Sequence, residues 1–80
     1  MALHEILSPL PGTFYRRASP EAAPYVEAGV SVESGAVVGL VEVMKQFNDV
    51  ETNVAGRVAE ILVDDGEPVD AGQVLMRIEG

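Results

Sequence analysis

Lys45 is the one lysine in a chain of 80 residues, and the remaining positive charge sits on Arg16, Arg17, Arg57 and Arg77. An ε-amine is a compact nucleophile on a flexible four-carbon stem, and it is the side chain most often modified covalently. It stands in the run Leu40-Val41-Glu42-Val43-Met44-Lys45-Gln46-Phe47-Asn48. A single amine in an acidic chain has the chemistry of an attachment point. Rarity alone reads more simply as a solvated surface charge, so the surrounding sequence has to decide. Little else here could do chemistry. There is no cysteine, so no disulfide, thiolate metal site or thiol nucleophile can form, and redox chemistry says nothing of compartment. His4 is the sole histidine, no nucleophile–base pair or metal-ligand spacing is present, and the thirteen carboxylates read as a solvated surface. A protein without its own catalytic centre is expected.

The elements that must position Lys45 belong to one domain, residues 1–80, large enough to bury somewhat over ~60% of the surface its unfolded chain exposes. Hydrophobic residues make up 48% of the chain but only four are aromatic, so the core is expected to be aliphatic and rich in valine. The first residues, Met1-Ala2-Leu3-His4-Glu5-Ile6-Leu7, lack the basic and apolar regions of a signal peptide. No apolar run approaches the ~20 residues of a membrane span. A net charge of −8 argues against nucleic acid as a partner, and it favours docking to basic protein surfaces. Neither a nucleic-acid nor a membrane partner is expected.

The sequence repeats itself. Residues 26 to 42, VEAGVSVESGAVVGLVE, align without a gap on residues 63 to 79, VDDGEPVDAGQVLMRIE, at an offset of 37. Val26, Gly29, Val32, Gly35, Val37 and Glu42 match Val63, Gly66, Val69, Gly72, Val74 and Glu79. Upstream, Leu10-Pro11-Gly12-Thr13-Phe14 resembles Val54-Ala55-Gly56-Arg57-Val58 at an offset of 44, so the first copy carries seven extra residues within Tyr15 to Tyr25. The half-repeats are about 10–42 and 54–79. Two copies are too few for a solenoid, and a domain with pseudo-two-fold symmetry fits them better.

Each copy reads as β structure. The paired glycines, Gly29 with Gly35 and Gly66 with Gly72, punctuate turns. Val74, Met76 and Ile78 alternate onto one face, as do Val37, Gly39, Val41 and Val43. Pro68 would break a helix. Many short strands with regular turn signals predict a small all-β sandwich or barrel. Lys45 falls in the junction between the copies, roughly Val43 to Asn53. The symmetry mate of that junction lies near the chain ends. A two-residue hairpin tip at Met44-Lys45 runs against propensity, since such turns prefer Asn-Gly or Asp-Gly. A longer loop centred on Asn48-Asp49 is the alternative.

Three segments together resemble the biotinyl domain of biotin carboxyl carrier proteins, the carrier subunits of acetyl-CoA carboxylase. They are Ser8-Pro9-Leu10-Pro11-Gly12-Thr13-Phe14-Tyr15-Arg16, Ser19-Pro20-Glu21 and Val41-Glu42-Val43-Met44-Lys45. The likeness runs from about Ser8 to Glu79, and its most specific element is Met-Lys between two glycine-bearing half-repeats. The insertion at about 15–25 matches the "thumb" of that family. The resemblance implies a flattened barrel or sandwich of two four-stranded antiparallel sheets, with the modified lysine at an exposed turn.

It also implies a role. Lys45 would be joined to biotin by an amide, formed by a biotin protein ligase. A biotin carboxylase would load a carboxyl group onto the ring, and a carboxyltransferase would pass it to an acyl-CoA, as in fatty acid biosynthesis in the cytoplasm. The chain would be a non-catalytic carrier. Thumb residues Arg16 and Arg17 would then either touch the loaded biotin or a partner, or stand as two exposed arginines of a surface loop. Two residues depart from the usual Ala-Met-Lys-Met, with Val43 in place of the alanine and Gln46 in place of the second methionine. Arg17 stands where relatives usually have threonine. A lipoyl domain of a 2-oxo acid dehydrogenase shares the fold but typically shows Asp-Lys-Ala and no thumb. An unmodified interaction domain is the remaining alternative.

Overall fold

Valine and isoleucine suit the pleated, half-buried surface of a strand, and glycine-marked turns cut the chain into short pieces. The computed structural model describes residues 2–80 and contains only strands, turns and irregular connections within that range. Eight strands follow in order: β1 (Leu3–Leu7), β2 (Gly12–Tyr15), β3 (Ser31–Val32), β4 (Val37–Val43), β5 (Gln46–Glu51), β6 (Gly56–Ile61), β7 (Glu67–Val69) and β8 (Val74–Glu79). They form two four-stranded antiparallel sheets, ordered β1-β8-β6-β3 and β5-β4-β2-β7. Pro68, which cannot donate to a ladder, lies in the edge strand β7.

The two sheets are related by a pseudo-dyad that reaches individual hydrogen bonds. The Gly29 N–H donates to the Val58 carbonyl at 2.8 Å, and its mate Gly66 donates to Phe14 at 2.7 Å. Gly35 donates to Thr52 at 2.7 Å, and Gly72 to Ser8 at 2.8 Å. Ser8 and Thr52 are the buried polar side chains of the interior. Each hydroxyl donates to the carbonyl two residues on, Leu10 or Val54, at 2.7 Å in both halves. A buried hydroxyl without such a partner would be destabilising, and the same solution is used twice. Ala2 and Gly80 exchange N–H···O bonds of 3.0 Å in each direction. They correspond to Gln46 and Val43, the pair that flanks Met44 and Lys45.

The four turn glycines have φ between 83° and 94°, where an L side chain is strained by about 1–2 kcal/mol. The alternation expected along the fourth and eighth strands is interrupted. Val38 and Leu75 are mates, and each is skipped in the pairing of its strand with an edge strand. Both are buried, at 1% and 0% exposure, whereas Val37 and Val74 are only half-buried. A bulge inserts one unpaired residue and resets which side faces in, so the inward set starts at Val38 and Leu75.

The core consists largely of mated pairs, including Val26 with Val63, Val32 with Val69 and Val41 with Ile78. One set exchanges bulk. Phe14 is fully buried, and its mate is Val58. Met76 is fully buried, and its mate is Gly39. A Cβ at Gly39 would collide with the Phe14 ring, so the first half packs large on small where the second packs small on large. Gly39→Met alone should cost about 3 kcal/mol or more through overpacking. Combining it with Phe14→Val copies the second half's solution and should restore most of that loss, read as the thermal or denaturant midpoint. A double variant no more stable than Gly39→Met would show that the halves do not share one packing scheme.

Candidate functional site

Val43 pairs with Gln46 across the β4–β5 ladder, so Met44 and Lys45 alone turn the chain. Their φ values are 50° and 69°. Positive φ at both central residues is the type I′ turn, whose twist matches the strands it joins. The alternative loop does not form, because Asn48 and Asp49 lie within β5. Neither methionine nor lysine favours this backbone, and each left-handed non-glycine residue costs about 1–2 kcal/mol. The hairpin arms hold it in place. Val41 and Val50 are anchored in the core, and the Asn48 side-chain amide donates to the Val41 carbonyl at 3.3 Å. Met44 is 92% exposed, and Lys45 is exposed beside it.

The seven-residue excess of the first half emerges after Tyr15. The Tyr25 N–H closes its base on the Arg16 carbonyl at 2.8 Å, whereas the mate of Tyr25, Leu62, donates to Leu75 at 2.9 Å. The insertion thus replaces a bond to the sheet with one of its own. The Ala22 N–H turns its tip onto Ser19 at 3.1 Å, around Pro20 and Glu21. Arg16 ties the loop down: its N–H donates to Asp65 at 2.7 Å and its Nη2 to the Val26 carbonyl at 3.2 Å. Arg17 Nη1 makes a long bond of 3.4 Å to the Ala22 carbonyl. The reading of two exposed arginines is corrected here. Both are half-buried, and the Nε of each is buried without a protein partner.

Between this loop and the hairpin lies a cleft of about 310 Å³, lined mainly by Tyr15, Phe47, Arg17, Ala18, Pro20 and Asp65. Tyr15 and Phe47 approach with ring centroids 6.2 Å apart and planes tilted by 51°. Phe47 is paired with Glu42 across the hairpin, and the Tyr15 hydroxyl donates to Glu42 Oε1 at 3.1 Å. That hydrogen bond, then the Glu42 charge, raise the Tyr15 pKa above its ordinary value. Glu42, Tyr15 and Phe47 therefore join the base of the loop to the arm that carries Lys45. Sequence reasoning did not single out Phe47, Glu42 or Asp65. The available signal was an outward-facing aromatic two residues from the lysine. His4 lies in β1 and does not line this cleft.

A family model described as biotin-requiring enzyme matches residues 4–78. The biotin carboxyl carrier protein of acetyl-CoA carboxylase from Nostoc sp. is 48% identical over 77 residues, 96% of this chain and 42% of that protein. The protein of the same description from Pseudomonas aeruginosa is 47% identical over 73 residues, 91% of this chain and 47% of that one. This chain thus spans somewhat less than half the length of these relatives. Among solved structures, the Kluyveromyces lactis urea carboxylase matches with a TM-score of 0.80 and 26% identity, over 99% of this chain and 6% of that one.

The strained turn yields a stability prediction. Met44→Asn with Lys45→Gly installs the pair that a type I′ turn prefers, and should raise stability by about 1–2 kcal/mol. Chemical denaturation of the double variant against the parent measures it. A midpoint at or below the parent's would mean that the tip carries no strain.

Proposed function

The chain belongs to the biotin-requiring enzyme family, and from that membership we propose that it is the biotinyl carrier domain of an acetyl-CoA carboxylase-like carboxylase. Biotin is attached as an amide on Lys45. The single observation that carries the reading is the position of the chain's one lysine, exposed at the tip of a two-residue turn that its own residues disfavour. A turn under strain, at the one place where a covalent handle exists, is expected where presentation outweighs local stability.

The residues fit the group. The amine is open to an enzyme. The cleft beside it has an aromatic pair and Pro20 for a small ring system, at a volume within the usual range for small-molecule sites. When bound, biotin supplies a ring nitrogen that accepts and gives up a carboxyl group. Tyr15, Phe47 and the thumb would hold the ring, and the Glu42 hydrogen bond keeps Tyr15 in place. The hairpin positions the amine. Amide formation needs an activated acyl group and the loss of a proton from the amine, and a biotin protein ligase must provide for both.

The partners that follow are that ligase, a biotin carboxylase and a carboxyltransferase, and the acceptor is an acyl-CoA. Between them the domain contributes tethering and effective concentration, with no catalytic group of its own. Support comes from relatives named as carriers of acetyl-CoA carboxylase. We also propose a cytoplasmic location, which is what the resemblance to acetyl-CoA carboxylase carriers implies.

Co-expression with an active biotin ligase and biotin should give a protein that streptavidin binds and whose intact mass carries one biotinyl group. Lys45→Arg should abolish both while thermal unfolding stays unchanged. Lipoate, or no adduct, on protein from its native host would refute the assignment. Trimming about seven residues between Tyr15 and Tyr25 should leave folding and biotinylation intact, since loop length affects closure entropy only weakly. Carboxyl transfer in the reconstituted system should fall. Unchanged transfer would make the thumb a passive insertion.

A further inference from the structure

We propose that Arg17 makes the thumb cleft sensitive to charge, retaining the carried ring when it bears a carboxylate and releasing it when it does not. The proposal rests on the carrier reading above. Its starting point is where this acidic protein leaves its positive charge uncompensated. Among the described residues, Arg57 pairs with Glu79, and Arg77 with Glu5 and Glu60. Arg16, Arg17 and Lys45 have no carboxylate within ion-pair distance, although the chain has thirteen carboxylates and a net charge of −8. Acylation would remove the charge of Lys45. The two thumb arginines would then be the uncompensated guanidiniums, and Arg17 is the one that lines the cleft.

The geometry of Arg17 suits a carboxylate. Its hydrogen bond to Ala22 uses Nη1 at a long 3.4 Å. The Nε–H, on the opposite edge, is buried and unpartnered. Buried donors are nearly always satisfied, and an exception calls for a ligand or an ordered water. Nε and Nη2 together form an edge that meets a carboxylate with two parallel hydrogen bonds. Of the hydroxyls in the cleft, that of Tyr15 is engaged with Glu42 and that of Ser19 carries no charge, so Arg17 is the cation that lines it. Asp65 is the opposing charge in the cleft, and one of its oxygens already accepts the Arg16 N–H at 2.7 Å. A neutral ring would contact Tyr15, Phe47 and Pro20 and offer Arg17 at most one uncharged carbonyl acceptor, too few for both Nε–H and Nη2–H. A ring carrying a carboxylate would satisfy both. A conformational equilibrium shifts only by such a difference in affinity, and here the difference is a single guanidinium.

The consequence is protection in transit. Loss of CO₂ moves the electron pair of the broken bond onto the ring nitrogen, which takes a proton from water. A cation paired with the carboxylate opposes that movement of charge, and the cleft walls keep water away.

The test uses the biotinylated protein labelled with ¹⁵N-arginine, with the ring unloaded or loaded by a biotin carboxylase, ATP and ¹³C-bicarbonate. Loading should shift the Arg17 Nε–H signal and slow its exchange with water, leaving Arg57 and Arg77 unmoved. Arg17→Gln should shorten the lifetime of the ¹³C label about two- to fivefold, the range of a partly exposed ion pair. Arg17→Lys, which keeps the charge but not the two-donor edge, should restore only part of it, and equal thermal midpoints would exclude an unfolded thumb. An Arg17 signal indifferent to loading, or an unchanged lifetime in Arg17→Gln, overturns the proposal while leaving the carrier function standing. Failure to find an adduct on Lys45 would overturn both.

Discussion

The β4–β5 ladder holds two residues in a backbone conformation that neither favours, and the placement of Lys45 depends on it. A slip of one residue along that ladder would turn Val41 and Val50 outward and bring Glu42 and Asp49 toward the core. The core therefore sets the register, and the register leaves only Met44 and Lys45 to reverse the chain. Strain of about 1–2 kcal/mol per residue persists because relieving it would require unpacking buried valines. The lysine is presented by the hydrophobic core acting through hydrogen-bond register, and among the described residues its side chain makes no ion pair.

The pseudo-dyad explains how so short a chain can sustain this. Each half contributes two strands to each sheet and can complete neither sheet alone. Pairing the halves completes both sheets and buries their inner faces, and it satisfies the interior hydroxyls of Ser8 and Thr52 by one repeated device. Symmetry fails in three places. Phe14 over Gly39 replaces Val58 with Met76, the thumb replaces a sheet hydrogen bond, and the Met44-Lys45 turn stands where the other half has the paired chain ends. All three departures involve the sheet that carries Lys45. A symmetric frame has been specialised on one side.

Much of this was legible in the sequence because it depends on spacing. Glycines six residues apart signal turns, and two copies at an offset of 37 favour a dyad whatever the side chains between them. The bulges at Val38 and Leu75 were not legible, since an apolar residue beside an apolar residue looks the same whether it is skipped or paired. The tight turn was hidden for the opposite reason: local propensity argued against it, and only the global register overrides that preference. Leu40 shows the same limit. Its mates in alternation face away from Val41 and the core, yet it is only 7% exposed, beside Tyr15 on the face from which the thumb departs. No local pattern along β4 reveals a burial of this kind.

The site joins two kinds of order. Lys45 owes its position to regular structure, while the cleft beside it is half sheet and half irregular loop. The bond from Tyr15 to Glu42 is the seam between them, because Tyr15 ends β2, where the thumb begins, and Glu42 lies one residue before the hairpin's closing pair. A carrier needs both properties at once. An arm held too firmly could not visit separate active sites, and one left free would expose its cargo to water on the way. Under the carrier function proposed above, an attachment point fixed in a rigid hairpin, with retention of the cargo left to a separate loop, would let reach and protection be set by different residues.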